Sequence, residues 1–448
     1  MKNFFKNIIV TILTWEARLA LKKYKPKIIA ITGSVGKTST KDAIWTVLAP
    51  HFHVRKSDKS FNGEIGLPLT ILELPNGWNN PFIWLRNIIQ GFFLVFTINY
   101  KLSTINYPSW LILEIGADRP GDIEKVSRWL SPDVVVITRF AEVPVHIEFF
   151  KSREEIIKEK SFLVKALKEG GLLLLNNDDA DVRALRDMRR NCRVITWGIE
   201  QESDFQASNL ETAYGKRGNA KMPSGITFKV NYAGNSVPIH LSGTLGRQHV
   251  YPVLAALSLG NTLGLNMVGI AESVKTYKTP SGRMKIISGV KHTTVIDDSY
   301  NASPVAMAEA LKTLKEIKTG GGFEVEPRSR KIAVLGDMLE LGKHSGREHE
   351  RAGREAKESC DILVTVGVRA RDIAAGALNH GMDENRIFQF DTSAEAAKPV
   401  EELLKEGDIV LVKGSQIARM ERIVEEIMAE PELKERLLVR QESEWQNH

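Results

Sequence analysis

The chain has 448 residues, 43% hydrophobic and 26% charged, with 61 Lys and Arg against 55 Asp and Glu, for a formal net charge of +6. That length suits two or three domains with substantial cores, and the composition is that of a globular protein. Two cysteines, Cys192 and Cys360, with no CxxC partner exclude a disulfide scaffold and point to a reducing cytosol, where both are expected to be packing residues. The positive balance suits an anionic substrate or a membrane surface, whereas the lack of a Lys/Arg block with interleaved aromatics argues against nucleic acid as a partner.

Met1–Leu13 (MKNFFKNIIVTIL) resembles a short signal sequence, but Trp15, Glu16 and Arg18 end the apolar run and no small-residue cleavage site follows. Residues 1–27 therefore read as an amphipathic helix. The apolar run Lys27–Ala30 then enters Ile31–Lys41, ITGSVGKTSTK, which describes a strand, a phosphate-wrapping turn and a helix start. Backbone N–H groups freed by Gly33 and Gly36, flanked by Ser34 and Ser39, can face phosphate oxygens. Lys37 would reach the β- and γ-phosphates and the Thr38 hydroxyl would meet Mg²⁺. Ile31 stands where the usual motif has its first Gly, so the match is to the shorter form T-G-x-x-G-K-[ST]; a plain structural turn is the competing reading.

Pro81–Tyr100 (PFIWLRNIIQGFFLVFTINY) is nearly long enough to span a bilayer, but Arg86, Asn87, Gln90 and Thr97 fall on one helical face. Either a buried helix or one lying in the bilayer interface fits. Trp110–Ile115 and Asp133–Thr138 read as buried parallel strands, Glu154–Glu169 as a charged amphipathic helix, and Leu172–Leu175 as a further strand. Alternation with Gly, Asn and Pro turns over 204–241 suggests a small β-rich insert, and Pro280-Ser281-Gly282 marks a domain boundary. Thr294–Ile296, Lys331–Leu335, Ile362–Val366, Arg386–Phe390 and Ile409–Val412 alternate with helical stretches, while 319–330 reads as a mobile loop. The fold class is thus α/β: a P-loop central domain over 28–280, with a parallel sheet, the β-rich insert and an apolar insertion at about 75–109, then a Rossmann-like domain over 281–448.

Eight runs come in order: TGSVGKTSTK (32–41), NGEIGLPLTIL (62–72), LEIGADRPGDI (113–123), SREEIIKEK (152–160), SGRM (281–284), DDSYNASP (297–304), LGDMLELG (335–342) and LVKGS (411–415). The succession resembles the Mur ligases, ATP-dependent amide-forming enzymes of peptidoglycan synthesis, and DDSYNASP with LGDMLELG resembles their D-Ala-D-Ala-adding branch. The resemblance implies that a carboxylate is phosphorylated by ATP and that the acyl phosphate is attacked by an amine. The implied partners are a UDP-MurNAc-peptide and D-Ala-D-Ala, with two Mg²⁺, on a monomer in the cytoplasm that can attach to the membrane periphery.

Residue by residue, the resemblance makes Lys37, Lys160 and Asp298 catalytic. It gives Thr38 and Glu114 to the first Mg²⁺, and His146 with a carbamate on Lys160 to the second. Arg283, Tyr300 and Asn301 would close over the nucleotide with His249 at the adenine, and Asn62 and Lys413 would contact substrate. Several positions depart from the family pattern. Arg139 replaces an Asn, the loop to His146 is two residues longer, and Phe162 stands where an acid is expected. Gln248, His249, Tyr251 and Pro252 replace an Asn-rich adenine contact, and Gln416 replaces an Arg after KGS. Only about 27 residues precede the first strand, where the family carries a UDP-gripping domain, so a lipid-linked acceptor at the membrane surface is a further expectation. A folylpolyglutamate- or poly-γ-glutamate-type ligase, and a non-catalytic membrane-associated P-loop NTPase, are the alternative readings.

Overall fold

The computed structural model describes residues 2–57, 63–78, 80–96, 107–142, 147–217, 220–318, 329–441 and 445. Two sheets organise them. The first has nine strands: β1 (Lys27–Thr32), β2 (Val54–Lys56), β3 (Trp110–Glu114), β4 (Val134–Ile137), β5 (Leu172–Asn176), β6 (Arg193–Gly198), β7 (Phe205–Arg217), β8 (Ala220–Tyr232) and β9 (Asn235–Ser242). Their order is β2-β3-β1-β4-β5-β6-β7-β8-β9. β1 lies between β3 and β4, pairing Ile31 with Glu114 on one side and Thr32 with Ile137 on the other, both in parallel.

The apolar strands read as continuous runs because both faces are covered. Ile29, Ile31, Ile112 and Val136 point into one core with the helix Val250–Thr262, while Ile28, Ala30, Leu111 and Val135 point into the other. Six helices that frame the site and its surroundings are α1 (Lys2–Tyr24), α2 (Lys37–Leu48), α3 (Gly66–Leu72), α4 (Pro81–Phe96), α5 (Asp122–Ser127) and α6 (Arg153–Lys165). α1 buries Leu13, Ala17 and Ala20 in the second core, together with Leu67, Leu69 and Ile71 of α3.

The β-rich insert expected over 204–241 forms β7, β8 and β9 and continues this sheet. β7 pairs in parallel with β6 through Trp197–Phe205 and Gly198–Gln206, and β7, β8 and β9 continue as an antiparallel meander. Alternation correctly marked strands with one solvated face, but it carries no information about which edge they join.

The second sheet is β10 (Lys285–Ser288), β11 (Thr294–Asp298), β12 (Lys331–Gly336), β13 (Ile362–Val366), β14 (Ile387–Phe390) and β15 (Ile409–Lys413), in the order β10-β11-β15-β12-β13-β14. Only the β10–β11 pair is antiparallel. The sheets meet through backbone bonds, with Ile286 N–H donating to Gly243 O at 2.9 Å and Leu245 N–H to Met284 O at 3.1 Å. One apolar cluster also runs from Val250 and Leu254 into Ala302, Met307 and Leu311 beside the second sheet.

The apolar segment at 81–100 does form a helix, α4, over its described part. No helix among the described residues is long and apolar enough to cross a membrane. The loop expected at 319–330 falls outside the described residues except for Ser329 and Arg330.

Candidate active site

The turn after β1 enters α2 through Gly36, which adopts φ 85° and leaves the first turn without a side-chain cap, so its backbone N–H groups are free for a ligand. Gly33, at φ 146°, lies so close to β4 that a Cβ there would sit 2.0 Å from Thr138 Oγ1. Thr138 in turn donates to Val35 O at 2.7 Å, and Ser34 N–H donates to Arg139 O at 2.6 Å, pinning the loop from its far side. The TG-x-x-GK spacing is thereby explained: glycine is required where the loop crosses the end of β4.

Lys37 Nζ bonds Gly33 O at 3.0 Å and reaches into a polar cleft. Burial pushes its pKa down and the Glu114 carboxylate pushes it back up. Thr38 Oγ1 donates to Glu114 Oε1 at 3.0 Å, while Lys41 Nζ lies 3.3 Å from Glu114 Oε2. Glu114 N–H donates to Ser57 Oγ at 3.2 Å. Lys41 and Ser57 were missed from the sequence; the signal for Lys41 was its place one helical turn after Lys37, on the same face of α2. Thr38 and Glu114 together offer hard oxygen ligands, the donor chemistry that suits Mg²⁺ beside a phosphate.

Lys160 is 4% exposed on α6 and makes no hydrogen bond or ion pair among the described residues. Burial, then the nearby Lys37 charge, lowers its pKa to about 7. Its neighbour Glu159 caps α5, accepting from the N–H groups of Gly121, Ile123 and Glu124 at 3.0, 2.6 and 3.0 Å. Asn62 and His146 lie outside the described residues.

The second sheet supplies the opposite wall. Asp298 and Lys413 end β11 and β15, are register partners, and form a buried ion pair of 2.7 Å, with Lys413 also donating to Asn301 O at 2.9 Å. Lys413 thus holds Asp298 and the 298–301 turn while lining the cavity beside them. The Arg283 guanidinium stacks over the Tyr300 ring at 4.2 Å. Arg283, Asn301 and Gly36 border both the polar cleft and a second, more apolar cavity that Ser39, Trp197 and His249 line.

In that second cavity several buried polar atoms lack hydrogen-bond partners among the described residues: Trp197 Nε1, Gln248 Oε1 and both ring nitrogens of His249. Burial and the Arg283 charge push the His249 pKa down to about 4, leaving the ring neutral with one donor and one acceptor. Trp197 was not singled out from the sequence, whereas Gln248 was named beside His249 as a replacement for the Asn-rich adenine contact. Nothing local marks Trp197, since only the approach of β6 to the 247–249 turn makes it their neighbour.

Both sheets thus present the C-terminal ends of parallel strands to one cleft, where ligands of open α/β sheets bind. The Mur ligase middle domain matches residues 97–260, and the Mur ligase, glutamate ligase domain matches residues 282–416. The UDP-N-acetylmuramoyl-tripeptide–D-alanyl-D-alanine ligase of Bacillus subtilis is 28% identical over 94% of this chain and 80% of its own length. The enzyme of the same name from Mycobacterium leprae is 30% identical over 87% of this chain and 71% of its own. Among solved structures, the MurF ligase of Thermotoga maritima in complex with ADP superimposes with a TM-score of 0.72 and 26% identity, covering 96% of this chain and 84% of that one. From its motifs, its two-sheet cleft and these likenesses, the chain belongs to the Mur ligase family.

Proposed function

We propose that this chain is an ATP-dependent ligase that adds D-Ala-D-Ala to the carboxylate of a UDP-MurNAc-tripeptide acceptor through an acyl phosphate. The observation that carries the reading is the convergence of Lys37, Thr38 and Glu114 from one sheet with Arg283 and Asn301 from the other around the polar cleft, with Asp298 in the adjoining cavity. Names of the relatives above supply the substrates; DDSYNASP and LGDMLELG favour D-Ala-D-Ala over the glutamate-type amine. We assign residues 28–280 to the nucleotide-binding body and 281–448 to the closing domain, with 1–27 and about 75–109 as additions, acting as a monomer in the cytoplasm at the inner face of the membrane.

In this reading the acceptor carboxylate attacks the γ-phosphorus, the bond to the β-phosphate oxygen breaks, and ADP leaves. The amine of D-Ala-D-Ala then attacks the acyl phosphate, phosphate departs, and the amine's surplus proton passes to phosphate or water. Lys37 and the uncapped N–H groups of α2 neutralise charge that grows on the transferred phosphoryl group. Thr38 and Glu114 would hold one Mg²⁺, which when bound supplies Lewis-acid stabilisation of phosphate oxygens. Lys160, buried, unpaired and with its pKa drawn towards neutrality, suits carbamylation by CO₂, a change that would replace a misplaced cation with an anionic ligand near Lys37; His146 would join it. Neutral His249 with Trp197 and Gln248 offers donors and acceptors to the adenine edge. Asp298, fixed by Lys413, and Arg283 on Tyr300 close the nucleotide from the second sheet and keep water from the acyl phosphate.

The test is phosphate release from ATP with mass detection of product, using UDP-MurNAc-tripeptide with and without D-Ala-D-Ala. Product that requires both substrates supports the reading. ATP turnover without product would move the acceptor to a lipid-linked substrate or the amine to glutamate.

A further inference from the structure

α4 is apolar on its outer as well as its inner side, unlike an ordinary surface helix. Its fully buried residues are the polar Asn87 and the small Gly91, with Trp84, Ile88, Leu94 and Val95 partly buried beside them, while Arg86 and Gln90 flank the exposed face. Gly91 lies against α1 so closely that a Cβ would sit 2.1 Å from Glu16 Oε2. Its outer face carries Phe82, Leu85, Ile89, Phe92, Phe93 and Phe96, exposed by 79, 58, 46, 48, 62 and 44%. The Phe92 and Phe96 rings pack tilted with centroids 4.4 Å apart, and Trp15 of α1, 48% exposed, extends the patch with its ring centroid 5.9 Å from that of Phe96. A contiguous apolar surface of this kind marks a binding face rather than scattered surface hydrophobes.

The charges beside it have one sign. α4 holds Arg86 and no acid; α1 holds five Lys and Arg and one acid, Glu16, which is 1% exposed. Lys6, Arg18, Lys22 and Lys25 are exposed. A second copy docked on the same face would bring these cations together, whereas an anionic headgroup layer would pair with them. Over its 16 described residues α4 is about 24 Å long, and no helix among the described residues is long and apolar enough to cross a membrane, which fits a helix lying in the interface.

We propose that the outer face of α4, with the basic exposed side of α1, docks this chain on the surface of an anionic phospholipid bilayer. Aromatic side chains enter the headgroup boundary while Arg18, Lys22 and Arg86 meet lipid phosphates. The inference specifies the membrane location proposed above, but it stands on α1 and α4 alone, outside the cleft.

Co-sedimentation of the full chain with vesicles containing phosphatidylglycerol, and with pure phosphatidylcholine vesicles, tests it. Binding is expected to the anionic vesicles, weakened by salt, and reduced about tenfold or more in the double variant Phe82→Glu, Phe93→Glu. Both side chains are exposed, so an unchanged circular dichroism spectrum and vesicle-free ligase turnover are expected to accompany that loss. Arg18→Glu with Lys22→Glu should remove the preference for anionic lipid. Absence of binding to the anionic vesicles would overturn the proposal while leaving the ligase assay to judge the cleft independently. So would a wild-type dimer in light scattering that the Phe82→Glu, Phe93→Glu variant dissolves, because a second copy would then cover the face.

Discussion

The cleft between the sheets and the outer face of α4 break the usual rule of burial in opposite directions. In the cleft, Trp197, Gln248 and His249 bury polar atoms with no hydrogen-bond partner among the described residues. On α4, six large apolar side chains face water while Asn87 is buried. Each departure lowers the stability of the isolated chain, and each is relieved by something other than the chain. Unpaired buried polarity marks where a small polar ligand belongs; unpaired exposed apolarity marks where a surface belongs.

The largest expected effect separates two lysines of α2. Lys37→Met should lower turnover by roughly 10²–10³-fold with the fold retained, since its one hydrogen bond among the described residues is to Gly33 O. Lys41→Met should instead destabilise the chain by about 3 kcal/mol, because it strips the buried cation from the buried Glu114. Thermal melts beside phosphate-release rates check the pair. Equal rate losses with equal melting temperatures would erase the distinction between a ligand-facing and a structural cation.

Lys160→Arg comes next. Turnover is expected to fall about 100-fold, and ¹³C-bicarbonate NMR should lose a carbamate resonance seen in the parent. In the parent that resonance should grow as pH rises through 7, since the amine must lose its proton before meeting CO₂. No resonance in the parent at any pH would leave Lys160 as an ordinary buried amine.

His249→Leu sharpens the comparison most directly. Removing an unpartnered buried ring should raise the stability of the ligand-free chain by about 1 kcal/mol while raising the KM for ATP about tenfold. Calorimetric unfolding and ATP titration read the two signs. Loss of stability without a change in KM would place His249 in the core and not in the nucleotide site.

The smallest effect lies under α4. Burial raises the Glu16 pKa to about 7 from 4.5, so the folded chain keeps this proton where the unfolded chain has lost it. The associated stability is present below pH 4.5 and is lost as pH rises through 7. Glu16→Gln should therefore stabilise at pH 8 by about 1–3 kcal/mol and very little near pH 4.5. Matched urea titrations at the two pH values measure the difference.

The phosphate loop, the buried parallel strands and the order of the two sheets were legible in the sequence because each rests on local pattern. Gly33 and Gly36 meet local backbone demands, and Ile362–Val366 was recovered residue for residue from its apolar run. α4 was legible as a helix from periodicity, but not in its orientation. Which face of an apolar helix turns inward depends on what it meets, here Glu16 and Leu72, which leave room only for a glycine. The same limit hid the Lys41–Glu114 pair, the Asp298–Lys413 bridge and the Trp197–His249 cavity. Their partners are separated by 73, 115 and 52 positions and become neighbours only when parallel strands set their C-terminal ends side by side. Sequence by itself determined the local conformations and the chemistry available to this protein. Tertiary structure decided which charges cancel and which remain for a ligand, because electrostatic and apolar contacts depend on distance through space and not along the chain.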